Sequence, residues 1–169
     1  YDAIIQYELH LRYYYQGLRF TGQPNTFHTV GSCFAVKSMA YCKQGGMNKR
    51  QAGEDFYFLQ KLFDLGNFTE CNTTRIIPSP RPSDRVPFGT GPSVDALVQN
   101  KEELHSYHPE LFRILKKFVQ LFPTFSLKNG TKILEEDVPA ISNELYDFLQ
   151  TQSFEEKLRE IKANTSSPE

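Results

Sequence analysis

The stretch Gly45-Gly46-Met47-Asn48-Lys49-Arg50-Gln51-Ala52-Gly53-Glu54-Asp55 narrows most what this chain can become. Glycines bracket a polar, basic loop, and the last of them leads straight into an apolar run. The spacing predicts a helix over 54–65 with Gly66 as its C-cap. Glu54 and Asp55 then fall in the first turn, where the helix dipole favours a carboxylate by roughly 0.3–1 kcal/mol at an exposed position. Direction says more than charge. At about 100° per residue, Phe56, Phe58, Leu59, Leu62, Phe63 and Leu65 share one broad arc, and Gln60, Lys61 and Asp64 the opposite one. Asp55 aims into the middle of the apolar arc, with Glu54 at its edge. An acid that only serves the dipole belongs on the solvent face. One aimed at the core side needs a partner or a cleft, because burying it bare costs far more than the dipole returns. A functional and a structural carboxylate both remain open at this point.

Length and charge set the outer bounds. The 169 residues fit one compact domain, and 19 Lys plus Arg against 20 Asp plus Glu give no broad nucleic-acid footprint. With 14 Phe, 9 Tyr and no Trp, the core is expected to be filled with rings. No apolar run approaches the ~20 residues of a membrane span. Cys33, Cys42 and Cys71 have neither metal-type nor CxxC spacing, and their odd number argues against a disulfide framework. They point to a reducing compartment, hence to a cytoplasmic protein. The sequons that begin at Asn67, Asn72, Asn129 and Asn164 are read as chance, since the chain shows no signal peptide.

Tyr1 is not an initiator Met, and the helical pattern is already under way at Asp2, as in a piece of a longer protein. Ile4, Tyr7, Leu11, Tyr14, Tyr15 and Leu18 recur at helical spacing up to Gly22. The Tyr13-Tyr14-Tyr15 run reads as packing, with a sugar-stacking platform as the rival. After a loop over 21–29 that ends near His28, Gly31-Ser32 leads into Cys33-Phe34-Ala35-Val36, expected as a short buried strand. Ser38 is expected to cap a brief helix over 39–43, which stops at Gly45-Gly46.

Beyond the central helix, 67–70 and 74–77 carry weak strand signals. Five of the ten prolines then fall in 78–92, together with Arg81, Asp84 and Arg85 and the run Pro87-Phe88-Gly89-Thr90-Gly91. Prolines stiffen such a loop, glycines let backbone approach a ligand, and arginines supply forked donors for phosphate or carboxylate. From Ser93 onward the chain reads as helices: a short one over 94–104, then one opened by His108-Pro109-Glu110 with Pro109 in the N1 slot. Leu111, Ile114, Leu115, Phe118 and Phe122 line its apolar face. Asn129-Gly130 marks a turn, Asp137 to Leu149 repeats the pattern, and Ser153 with Glu156 suggests a capping box. No internal repeat, metal-ligand cluster, phosphate loop or nucleophile elbow occurs.

Taken in order, Gly31-Ser32, the apolar Cys33–Val36 run, Gly45-Gly46 and Gly53-Glu54-Asp55 resemble the second half of bacterial family-2 glycosyltransferases, which have the GT-A fold. In that family an apolar strand opens with glycine and a small residue, a short helix and Gly-Gly follow, and a helix begins with an acidic pair, the ED motif. The similarity runs from Tyr1 through about Val94. It divides the chain into an acceptor-side part of a GT-A domain at 1–93, a helical extension at 94–162 and a disordered tail at 163–169. It implies an α+β fold that is predominantly helical with a few short strands, most of the sheet lying in the nucleotide-binding half that is missing here.

Chemically, the resemblance implies inverting transfer of a sugar from a nucleotide-sugar donor to a hydroxyl of a glycan or lipid-linked acceptor. Asp55 takes the role of general base, worth roughly 10²–10⁴-fold, and Glu54 orients it or binds the acceptor. Arg81 and Arg85 match by position a basic gating loop that closes over the diphosphate and stabilises leaving-group charge. Ser32, Gly31 and His28 join them on the substrate side. The family's metal-binding Asp-x-Asp occurs nowhere in this chain. A divalent Mg or Mn ion is therefore expected only in the full-length enzyme, held by the missing N-terminal half, and the fragment alone is expected to be inactive. Two rival classes stay open. One is a non-catalytic module that binds a glycan or phosphate; the other is a helical interaction domain that buries the Tyr13–Tyr15 helix in a homodimer.

Overall fold

The structure, a computed structural model, describes residues 2–28, 33–49, 53–77, 89–99, 104–127 and 132–165. Every regular element among them is helical. They form α1 (Asp2–Thr21), α2 (Ser38–Lys43), α3 (Glu54–Phe63), α4 (Thr90–Val98), α5 (Pro109–Gln120) and α6 (Phe122–Leu127). Then come α7 (Ile133–Asp137), wound as a π-helix, α8 (Val138–Ile141), α9 (Asn143–Thr151) and α10 (Phe154–Thr165). Two compact units result: Tyr1–Gln16 with Pro24–Ser106, and Gly17–Gln23 with Tyr107–Glu169. No helix among the described residues is long and apolar enough to cross a membrane.

The first unit takes its order from ring packing. Tyr15 is buried on α1, and Glu8 and Arg12 pair one turn apart at 3.4 Å on the same helix. Phe58, Leu59 and Phe63 form the buried stripe of α3. Phe58 is 1% exposed and meets the rings of Tyr41 and Phe34, with centroids 5.2 and 6.3 Å away. Burying one such side chain stabilises a fold by about 1.5–3 kcal/mol. Phe27 stacks against both Phe63 and Phe68, at 4.2 and 3.9 Å, and so ties the loop after α1 to the end of α3. Gly46 has φ 74, and a Cβ there would come within 3.0 Å of the Tyr41 ring, so only glycine ends α2 in this way.

The second unit has its own core of Phe118, Phe125, Ile133, Leu134, Val138 and Leu149, ringed by Leu115, Leu145, Phe154 and Leu158. His108 caps α5 by accepting the Glu110 N–H on Nδ1 at 3.2 Å, with Pro109 in the first turn. In a continuous α-helix, Pro139 would crowd the carbonyl of Glu135. The turn before it is wound wide as α7, and α8 lasts only four residues. Ser142 turns extended, with φ −166°, and its Oγ accepts the Leu145 N–H at 3.1 Å to start α9.

Several expectations change. The strand foreseen at Cys33–Val36 is irregular, as are 67–70 and 74–77, and no strand occurs among the described residues. A strand exists only by pairing with a neighbour, which these segments lack here. Ser38 is the first residue of α2 and not its cap. Gly66 does take the left-handed conformation, φ 69, but the regular helix stops at Phe63. Thr90-Gly91-Pro92, read as loop, opens α4, which ends at Val98. On α5 Phe112 is buried as well as Phe118, while Leu111 is 50% exposed. The single helix foreseen over 137–149 is α8 and α9, broken at Ser142. Ser153 has φ 50, which is incompatible with the extended N-cap of a capping box. α10 runs through Thr165, three residues into the segment expected to be disordered.

Candidate functional site

The acidic pair sits where the spacing placed it. Gly53 is left-handed, φ 73, and its carbonyl accepts the Tyr57 N–H at 3.1 Å as the first bond of the helix. A side chain at this position would be strained, so the glycine is what lets the chain turn into α3 with two carboxylates at its mouth. Glu54 and Asp55 are both half-buried. One oxygen of Asp55, Oδ1, accepts the Phe56 N–H at 2.8 Å. Among the described residues no lysine, arginine or histidine pairs with Asp55. Its carboxylate is thus anchored through Oδ1 on a residue that is half-buried as a whole.

Two further features frame the mouth of α3. Phe56 and Tyr57 are 46% and 45% exposed, with ring centroids 5.5 Å apart and planes at 81°. Phe56 was expected on the buried arc. It stands about 100° around the helix from Asp55, at the edge of the stripe that Phe58, Leu59 and Phe63 bury, so the core ends before reaching it. Lys61, one turn beyond Tyr57, donates to Asn48 Oδ1 at 3.2 Å and ties the basic loop to the helix.

His28 belongs to a different cluster. Its ring meets that of Tyr15 edge-on, with centroids 5.6 Å apart at 77°. The Tyr15 hydroxyl donates to Oε1 of Glu70. Burial, and next the Arg12 guanidinium, hold the His28 imidazole below its ordinary value, against the opposing pull of Glu8 and Glu70. His28 is therefore neutral at neutral pH, suited to hydrogen bonding and not to holding an anion by charge. The partner Glu70 was missed by sequence reasoning, and a separation of 55 residues leaves no local signal for it.

The structure thus brings Glu54 and Asp55 together and sets His28 among groups of α1 and the 67–77 segment. Gly31, Ser32, Arg81 and Arg85 lie outside the described residues. No three His, Cys, Asp or Glu side chains among the described residues converge as a metal site. No chemical step is assigned to a divalent ion on these residues. Comparisons with protein-family models, with curated proteins and with solved structures find no match.

Proposed function

We propose that this chain supplies the general base and the acceptor side of an inverting glycosyltransferase. The observation that carries the reading is the carboxylate of Asp55, half-buried at the start of α3, with Oδ1 on a backbone amide and no basic side chain against it among the described residues. A structural acid aimed at the core side needs full burial and a cation or several amides to hold its charge. Among the described residues Asp55 has neither, which favours a group kept ready for an outside proton. In the proposed step Oδ2 takes the proton of the acceptor hydroxyl as its oxygen bonds to the anomeric carbon. The bond from that carbon to the diphosphate breaks, the electron pair leaves with the nucleotide, and the sugar inverts. Glu54 orients the acceptor.

Within the same reading 1–93 is the acceptor-side part of the GT-A domain, 94–162 the helical extension and 163–169 a tail. Cys33–Val36 becomes a short strand only when the sheet of the nucleotide-binding half lies beside it. Arg81 and Arg85 act on the diphosphate.

The test compares wild type with Asp55→Asn in the enzyme that carries both halves. Release of UDP or GDP is followed with UDP-glucose, UDP-galactose, UDP-N-acetylglucosamine and GDP-mannose. Asp55→Asn is expected to lower transfer by about 10²–10⁴-fold while donor binding and melting temperature hold. Undiminished transfer, or an unfolded variant, overturns the assignment. The 169 residues alone are expected to bind no donor tightly and to turn none over.

A further inference from the structure

Three side chains meet where the 67–77 segment is fastened to α1. Tyr15, buried on α1, donates its hydroxyl to Oε1 of Glu70. His28 stands edge-on to the same ring, with centroids 5.6 Å apart at 77°. The charged groups that act on His28 are Arg12 and Glu8 of α1 and Glu70 of the segment. Burial and the Arg12 guanidinium oppose a proton on the imidazole, whereas Glu8 and Glu70 favour it. Glu8 already pairs with Arg12 at 3.4 Å, and drawing it away would leave the new cation facing an uncompensated guanidinium. Glu70 is held by a phenol, a neutral donor. A cation adds Coulomb attraction that a phenol lacks, so a charged His28 draws Glu70 to itself.

Phe68 is fastened differently, by the rings of Phe27 and Phe63, a contact with no group to titrate. It stays in place when Glu70 leaves. We propose that Tyr15, His28 and Glu70 form an acid-released latch: a neutral His28 leaves Glu70 on Tyr15, and a charged His28 takes Glu70 over and lets the segment pivot about Phe68. The sign follows from the closed form. There His28 is held below its ordinary value of 6.5, first by burial and next by Arg12. The latch is therefore shut above about pH 6.5 and opens as pH falls through the lower folded value.

Cys71 follows Glu70 directly and is exposed, as are Cys33 and Cys42. With Cys33→Ser and Cys42→Ser in place, a nitroxide on Cys71 reports the motion of the segment by electron paramagnetic resonance. Its mobile component is expected to grow severalfold between about pH 8 and pH 5. His28→Gln, which cannot take the proton, should keep its pH 8 spectrum at pH 5. Tyr15→Phe, which keeps the ring and lacks the hydroxyl, should be mobile at both. Far-UV circular dichroism is expected to show the same helix content at the two pH values. A wild-type spectrum that ignores pH, an acid response that survives in His28→Gln, or a Tyr15→Phe label no more mobile than wild type at pH 8 overturns the latch. So does a loss of helix at pH 5 alongside the mobility, because the fold and not the latch has then opened.

Discussion

Gly17 lies inside α1 with ordinary helical geometry, so no backbone demand explains a glycine there. Its neighbour does. A Cβ built on Gly17 would lie 2.4 Å from two carbons of the Phe112 ring and 2.7 Å from a third. Carbon atoms settle at about 3.5–4.0 Å, so the ring would have to retreat by more than an ångström. It is only 7% exposed, which leaves little room for that. In open solvent Gly17→Ala would stabilise the helix by about 0.5–1 kcal/mol. Overpacking a filled site costs about 1–3 kcal/mol, so the clash wins and a net loss of about 1–2 kcal/mol is expected. For a protein of this size that lowers Tm by roughly 2–8 °C, measurable by circular dichroism during heating and by the urea midpoint. The paired variant isolates the cause. In a Phe112→Leu background the ring is gone, and Gly17→Ala should turn neutral or stabilising, by up to about 1 kcal/mol. A higher Tm for Gly17→Ala in the wild-type background, or an unchanged penalty in the Phe112→Leu one, would refute the contact.

Loss of the Ser142 cap in Ser142→Ala should cost about 1 kcal/mol and speed amide exchange at Leu145; unchanged exchange there would show that the hydroxyl does no capping. His28 has a folded pKa below its ordinary value of 6.5, so its contribution is fully present above about pH 6.5. It is lost as pH falls through the lower folded value, because the unfolded chain takes up the proton first. Urea midpoints at about pH 7.5 and 5.5 should therefore show wild type losing more stability on acidification than His28→Gln, and equal losses would refute the linkage.

What the sequence yields are the features written within a turn or two. The stripe of α1 apart from Tyr14, which is exposed, the left-handed glycines at 22, 45, 46, 53 and 66, and the Pro109 start of α5 all follow from local spacing and local backbone chemistry. So does the placing of Glu54 and Asp55 in one helical turn. Errors begin where a choice depends on the far side of a contact. Leu111 and Phe112 are adjacent and both apolar, and only the space over Gly17 decides that the ring goes inward. The break at Ser142 was written locally, in Pro139 and a serine ahead of Asn143-Glu144, but the apolar spacing across it masked the signal. The apolar run at Cys33–Val36 states a preference for extended chain, yet no pattern of its own can supply a pairing partner. At the site, periodicity found the acids and assigned Phe56 to the core. It could not see where the core stops, and so it missed the exposure of Phe56.

The segment 67–77 is exposed throughout and has no regular structure, but its first part is held at Phe68 and at Glu70. Phe68 is seated between Phe27 and Phe63, and Glu70 takes the hydroxyl of Tyr15. Two holds only two residues apart fix a direction as well as a position. From there the chain pays out like a leash: from Cys71 to Ile77, at about 3.3–3.6 Å per residue, it spans on the order of 25 Å at full stretch. Whatever path those residues take, Ile77 stays inside that radius of Glu70, and a single tyrosine hydroxyl on α1 marks where the radius is centred.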